Sequence, residues 1–140
     1  MDRLGDVTAA AADVEVVLIA TPDRSIGDIA SAIRPGPAVV LHCSGATGLG
    51  PVSGHDRYGS IHPLMALPSP EIGALRLAAG GWFAVAGDLV ATELVDVLGG
   101  RSFFVADDKR ALYHATAAVS ANHVVALLGQ VERLAWQVGV

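Results

Sequence analysis

The spacing of apolar positions along the chain changes several times, and each change marks an element. Residues 15–20 (EVVLIA) make a short apolar run with three β-branched side chains, stopped by Thr21–Pro22–Asp23. A continuous run of this kind predicts a strand buried on both faces, as in a parallel sheet. Over 25–33, Ile26, Ile29, Ala30 and Ile33 recur at helical spacing, and Pro35–Gly36–Pro37 ends that helix. Residues 38–41 (AVVL) predict a second buried strand leading into His42–Cys43–Ser44–Gly45. Strand, helix and strand within about 30 residues form a βαβ unit with a right-handed crossover.

Residues 45–54 are glycine-rich and irregular. A third strand is expected over 57–61, ending at His62–Pro63. Residues 64–79 contain Pro68 and Pro70 and predict a loop with little regular structure. A strand over 82–86, a helix over 89–98 stopped by Gly99–Gly100, and a short strand over 101–105 follow. Asp107 and Asp108 then open a long helix, their charge matching the positive end of its dipole. If it runs on through 140 it has about 30 residues and measures about 45 Å. Between 117 and 128 it is apolar on nearly every face, so protein should surround it. An obligate oligomer, or sequence missing beyond 140, is expected to cover it. The fold class is therefore α/β, a sheet with parallel strands followed by a helical part. The expected division is 1–106 and 107–140.

The chain has 140 residues, 52% hydrophobic and 16% charged, with a mean hydropathy of +0.50. That excludes a disordered tail. Nine Lys+Arg stand against 14 Asp+Glu, without a basic cluster, so no nucleic-acid partner is expected. One cysteine excludes an internal disulfide framework and a Cys-rich zinc site. The histidines lack the tight spacing of a catalytic metal site, and no metal is expected. The N-terminus shows no signal peptide. The apolar stretch 117–128, interrupted by Ser120, Asn122 and His123, is short of the roughly 20 residues of a bilayer span, so no membrane partner is expected. A cytoplasmic location fits these features.

Candidate chemistry gathers at predicted strand ends, where α/β sheets bind ligands. Thr21, Pro22 and Asp23 follow the first strand, although Asp23 could equally cap the next helix. Ser44 could donate to a cofactor ribose or a substrate, and Gly45 permits close backbone approach. Cys43 reads as a plain buried residue. His62 meets a rigid proline turn and can bind anions or move protons. On the long helix, His114 and Asn122 are eight residues apart, about 80° on an ideal helix. His123 faces away from His114 and reads as structural. The strand–GxGxxG–helix fingerprint of a dinucleotide site is absent; Gly45–Gly50 has the wrong spacing and follows the wrong strand.

Together the segments 16–23 (VVLIATPD), 39–48 (VVLHCSGATG), 59–68 (GSIHPLMALP), 82–88 (WFAVAGD) and 113–128 (YHATAAVSANHVVALL) resemble the bacterial Rossmann-like family whose C-terminal half is domain of unknown function 2520. That family lies in the superfamily of 6-phosphogluconate dehydrogenase-like enzymes, beside pyrroline-5-carboxylate reductases, prephenate dehydrogenases and β-hydroxyacid dehydrogenases. The resemblance implies an NAD(P)-dependent oxidoreductase acting on a small carbonyl, hydroxy or imine substrate, of which this chain is an N-terminally truncated part, weak or inactive alone. It implies Thr21, Pro22 and Asp23 bordering NADP or NAD, and Ser44 and Gly45 near the nicotinamide. It places His62 in the interdomain crevice and His114 and Asn122 on the first helix of the second domain, as catalytic candidates. It also implies the C-terminal part of a Rossmann-like parallel sheet followed by the start of an α-helical dimerisation domain, and a homodimer through the C-terminal helix. The helix lysine of β-hydroxyacid dehydrogenases has Ala118 in its place, and Lys109 does not inherit its role. The competing expectation is a non-catalytic nucleotide- or metabolite-binding or dimerisation module.

Overall fold

The structure is a computed structural model that describes residues 7–140. Residues 1–6, the start of the expected 1–106 part and of the segment read for a signal peptide, lie outside the described residues. Five strands form one sheet in chain order: β1 (Val16–Ile19), β2 (Val39–His42), β3 (Tyr58–Pro63), β4 (Trp82–Gly87) and β5 (Arg101–Phe104). β1, β2 and β3 are mutually parallel, β4 runs antiparallel to β3, and β5 is parallel to β4. The sheet is thus mostly parallel, with one reversal inside the span expected to be all parallel.

That reversal goes with a helix that the sequence pattern did not predict. Residues 70–78, expected as loop, are helix α2 (Pro70–Ala78). Its start is well specified. The Ser69 hydroxyl accepts from the Ile72 amide, Pro70 occupies the first turn where no donor is needed, and Glu71 meets the positive helix end. Pro70 is a helix starter here, not a breaker.

Alternation along β2 builds two cores. Val40 turns with Ile19 toward α1 (Ile26–Ala32), where Ile26, Ala30 and Ile33 close over them. Val39 and Leu41 turn the other way with Ile61, Phe83 and Val85, under Ala91 and Val95 of α3 (Val90–Val97). All four residues of β2 are buried, which explains the apolar run Val39–Leu41 that leads into the buried His42.

After β5 the chain turns back as one helical stretch. α4 (Arg110–Ala118) continues through a π-helical segment, Val119–His123, into α5 (Val124–Gln137). α4 buries Arg110 against the sheet, whereas α5 buries no residue. The stretch Asp107–Gln137 is long and apolar enough, by length and composition, to cross a membrane, and its apolar window is unburied.

Candidate functional site

Three parallel strands deliver their ends to one edge of the sheet: Thr21–Asp23 after β1, Cys43–Gly45 after β2, and His62–Pro63 closing β3. His42 and Ser60 are register partners, and His62 lies two residues beyond Ser60 on the same face. His62 in turn pairs with Ala84, and Ala84 with Phe103. Ala84 carries only a methyl group between two rings, and Tyr113 of α4 contacts both flanks. Its ring centroid lies 5.6 Å from that of His62 and 5.8 Å from that of Phe103, edge-on to each.

α4 presents Arg110, Tyr113 and His114 from one face, at the spacing i, i+3 and i+4. Arg110 is 1% exposed. It donates to the Ser44 carbonyl at 3.3 Å and to the Ser60 hydroxyl, tying α4 to the end of β2 and to β3. Its Nε lies 3.4 Å from Asp107 Oδ1, an ionic contact too poorly aligned for a hydrogen bond. Asp107 also accepts from the Leu49 amide, at 3.0 Å to either oxygen, and so holds the loop after β2.

His42 is part of this scaffold. The Ser44 amide donates to its Nδ1 at 3.2 Å, which leaves Nε2–H to donate to the Gly48 carbonyl, also at 3.2 Å. Burial, with the Arg110 charge nearby, lowers its pKa and keeps it neutral. Ser44 shapes the same loop: its hydroxyl accepts from the Ala46 and Thr47 amides and donates to the Thr47 hydroxyl. His55 is bonded to the Ala30 carbonyl, far from this edge. Burial pushes the Cys43 thiol up to about 11, so it is no thiolate nucleophile at neutral pH.

Gly45 lies between two imidazoles. A Cβ built there would be 2.8 Å from His62 Nε2 and 2.9 Å from His114 Nδ1, so any side chain would displace the rings. His62 and His114 approach with ring centroids 6.0 Å apart. The His62 Nδ1 is 2.7 Å from the Tyr113 hydroxyl. Burial lowers the His62 pKa, and the charges of His114 and Arg110 add to the effect, against Asp23. Burial raises that of Tyr113.

His62, His114 and Asn122 line one cavity of about 350 Å³ with Ser120, Leu64 and Met65. The π-helical segment Val119–His123, which contains Asn122, adds residues per turn and alters the ideal 80° separation. His123 does not line the cavity, and Lys109 pairs with Asp108 at 2.9 Å on the surface. Thr21, at the end of β1, has a buried hydroxyl with no hydrogen-bond partner. Pro22 and Asp23 are exposed beside it. A larger cleft, about 920 Å³, opens where residues 14–16 meet Arg57 and α3. It contains none of the expected residues, and its Arg57–Asp88 pair is already closed at 2.8 Å.

Arg110 and Ser60 were not singled out from the sequence, Asp107 was read only as a helix opener and Ser120 only as a break in an apolar stretch, and Tyr113 was noted without a role. The signal available was the i, i+3, i+4 spacing of Arg110, Tyr113 and His114, with Ser60 and His62 on one strand face.

This arrangement is a Rossmann-like sheet end covered by a helix. Residues 84–140 match the model of DUF2520, a domain of unknown function, in line with the resemblance read from the sequence. Protein TM1727 of Thermotoga maritima is 27% identical, with a TM-score of 0.73 over 91% of this chain and 51% of that one. A pyrroline carboxylate reductase of Plasmodium falciparum, solved with NADP bound, is 10% identical with a TM-score of 0.71, over 98% of this chain and 54% of that one. The prephenate dehydrogenase of Aquifex aeolicus is 15% identical with a TM-score of 0.62, over 93% and 54%. At such identities the last two show the fold alone. The chain spans about half the length of these structures. No curated protein matches it.

Proposed function

We propose that this chain frames the nicotinamide and substrate end of an NAD(P)-dependent oxidoreductase site. Residues 1–106 serve as the Rossmann-like cofactor-binding part and 107–140 as the first long helix of an all-α part. The observation that carries the reading is the convergence of His62 Nε2 and His114 Nδ1 on a side-chain-free Gly45, beside a cavity that also meets Asn122. The residues present suit the riboside end of a dinucleotide. The orphaned Thr21 hydroxyl, at the end of β1, needs a partner. The phosphate-binding glycine loop is not among this chain's residues. Bound there, the nicotinamide would supply the hydride. His62 and His114 orient the carbonyl, hydroxy or imine group of a small substrate and exchange a proton with it. Asn122 hydrogen-bonds the same substrate. Arg110 holds the two halves of the site in register.

Titration with NADH and NADPH, followed by Trp82 emission, tests this. Quenching that saturates, and that Gly45→Val abolishes without loss of helix content, is the expected result. No quenching with either nucleotide removes the cofactor reading.

A second reading has its own observation. α5 leaves Val125, Leu127, Leu128, Val131 and Trp136 exposed, which suits a homodimer through the C-terminal helix, with or without catalysis. The polar Ser120, Asn122 and His123 and the charged Glu132 and Arg133 favour a protein partner over a bilayer, in keeping with a cytoplasmic protein.

A further inference from the structure

His62 has two ring nitrogens with different surroundings. Nδ1 is 2.7 Å from the Tyr113 hydroxyl, and Nε2 faces Gly45 and the His114 ring. Which nitrogen carries the proton decides what His62 can do to a ligand. A neutral imidazole donates from one nitrogen and accepts at the other, and the bond made by one sets the role of the other.

The chemistry of the pair fixes the sense of the Tyr113–His62 bond. A phenol O–H is a far stronger acid than a neutral imidazole N–H, and an imidazole nitrogen is a far stronger base than a phenol oxygen. The favourable bond is therefore O–H to Nδ1. Nothing displaces Tyr113 from this role, because Phe103 holds its ring from the other side and Arg110 anchors the same helix one turn earlier. The charged and titratable groups whose fields reach His62 are His114 and Arg110 from α4 and Asp23 from the turn after β1.

We propose that Tyr113 is a positioning residue that donates to His62 Nδ1 and so holds His62 as its Nε2–H tautomer. His62 then meets a ligand in the cavity it lines with His114 and Asn122 as a hydrogen-bond donor. Such a site favours the carbonyl or imine form of a substrate, an acceptor, over the hydroxyl or amine form, whose own proton would need an acceptor there. The tautomer rests on the geometry alone. The substrate class rests in addition on the oxidoreductase reading.

The test is a long-range ¹H–¹⁵N correlation spectrum of the whole chain labelled with ¹⁵N-histidine, above the titration range of its imidazoles. His62→Gln assigns the His62 signals. The expected spectrum has a pyridine-type Nδ1 and a pyrrole-type Nε2 for His62. Tyr113→Phe, which keeps the ring against Phe103, should move both signals toward the average of two tautomers. A wild-type His62 protonated on Nδ1 overturns the proposal, and that measurement needs no variant to fold. An unchanged tautomer in Tyr113→Phe overturns the role of Tyr113. Cyclopentanone and cyclopentanol then probe the ligand class, with the ketone shifting the His62 Nε2–H signal at about fivefold lower concentration, the effect of one hydrogen bond. Equal potency overturns the preference. If NAD(P)H fails to bind while the Nε2–H tautomer is seen, the cofactor reading falls and the tautomer stands. If NAD(P)H binds and Nδ1 carries the proton, only the present proposal falls.

Discussion

The two ends of the long C-terminal helical stretch treat their side chains in opposite ways. At its start, polar groups are buried: Arg110 is 1% exposed, and the His42 and Ser60 beneath it are fully buried. At its far end, apolar groups are open to water: Leu128 is 60% exposed and Trp136 85%. Hydropathy alone would have ordered these residues the other way. What decides is whether partners are present. The Arg110 guanidinium finds the Ser44 carbonyl and the Ser60 hydroxyl, so its burial is compensated. Among the described residues nothing covers the apolar face of α5, which buries none of its side chains.

Breaking the buried end should have the largest effect. Arg110→Ala removes two hydrogen bonds from a charged donor and leaves Ser60 without its partner. The expected loss is about 3 kcal/mol, or a fall in Tm of about 9 °C for a chain of this size, read by thermal denaturation. A loss under a third of that would mean the polar knot is not what joins α4 to the sheet.

The exposed end should respond in association and hardly at all in the fold of a single chain. Leu128→Asp should change a monomer's stability by no more than about 0.5 kcal/mol, yet convert a dimer to monomers in sedimentation. A wild-type chain that sediments as a monomer would remove the dimer reading and leave the contrast without a biological partner.

The smallest effect sharpens the electrostatics of the buried end. His42 and His62 both have pKa values below the ordinary 6.5, chiefly from burial. An unfolded chain therefore binds more protons than the folded one as pH falls through 6.5. Stability should be full above that value and decline below it. His62→Gln should flatten the decline of Tm between pH 7 and 5. An unchanged slope would mean that His62 is not held neutral by its surroundings.

Much of this was legible in the sequence, for physical reasons. The fully buried Val39–His42 is a strand because neither face is free to be polar, whereas Val16–Ile19, expected to be buried on both faces, leaves Leu18 half exposed. Thr21, Ser44, Gly45 and His62 fall at one edge because parallel strands all end there. Where reading failed, the information was not local in kind. Pro68 and Pro70 suggested a loop, but Pro70 after Ser69 begins α2. The antiparallel entry of β4 could not be read from Trp82–Gly87, since a strand's direction depends on the path before it.

The sequence by itself determined the strands, most of the helices and the list of polar residues at strand ends, because period, breakers and caps act over a few residues. Only the tertiary structure decided that Arg110 is the buried anchor, that Tyr113 reaches His62 across the methyl of Ala84, and that a π-helical segment carries Asn122 to the cavity shared by His62 and His114. Each of these depends on register between elements distant in the chain, and register is set by packing.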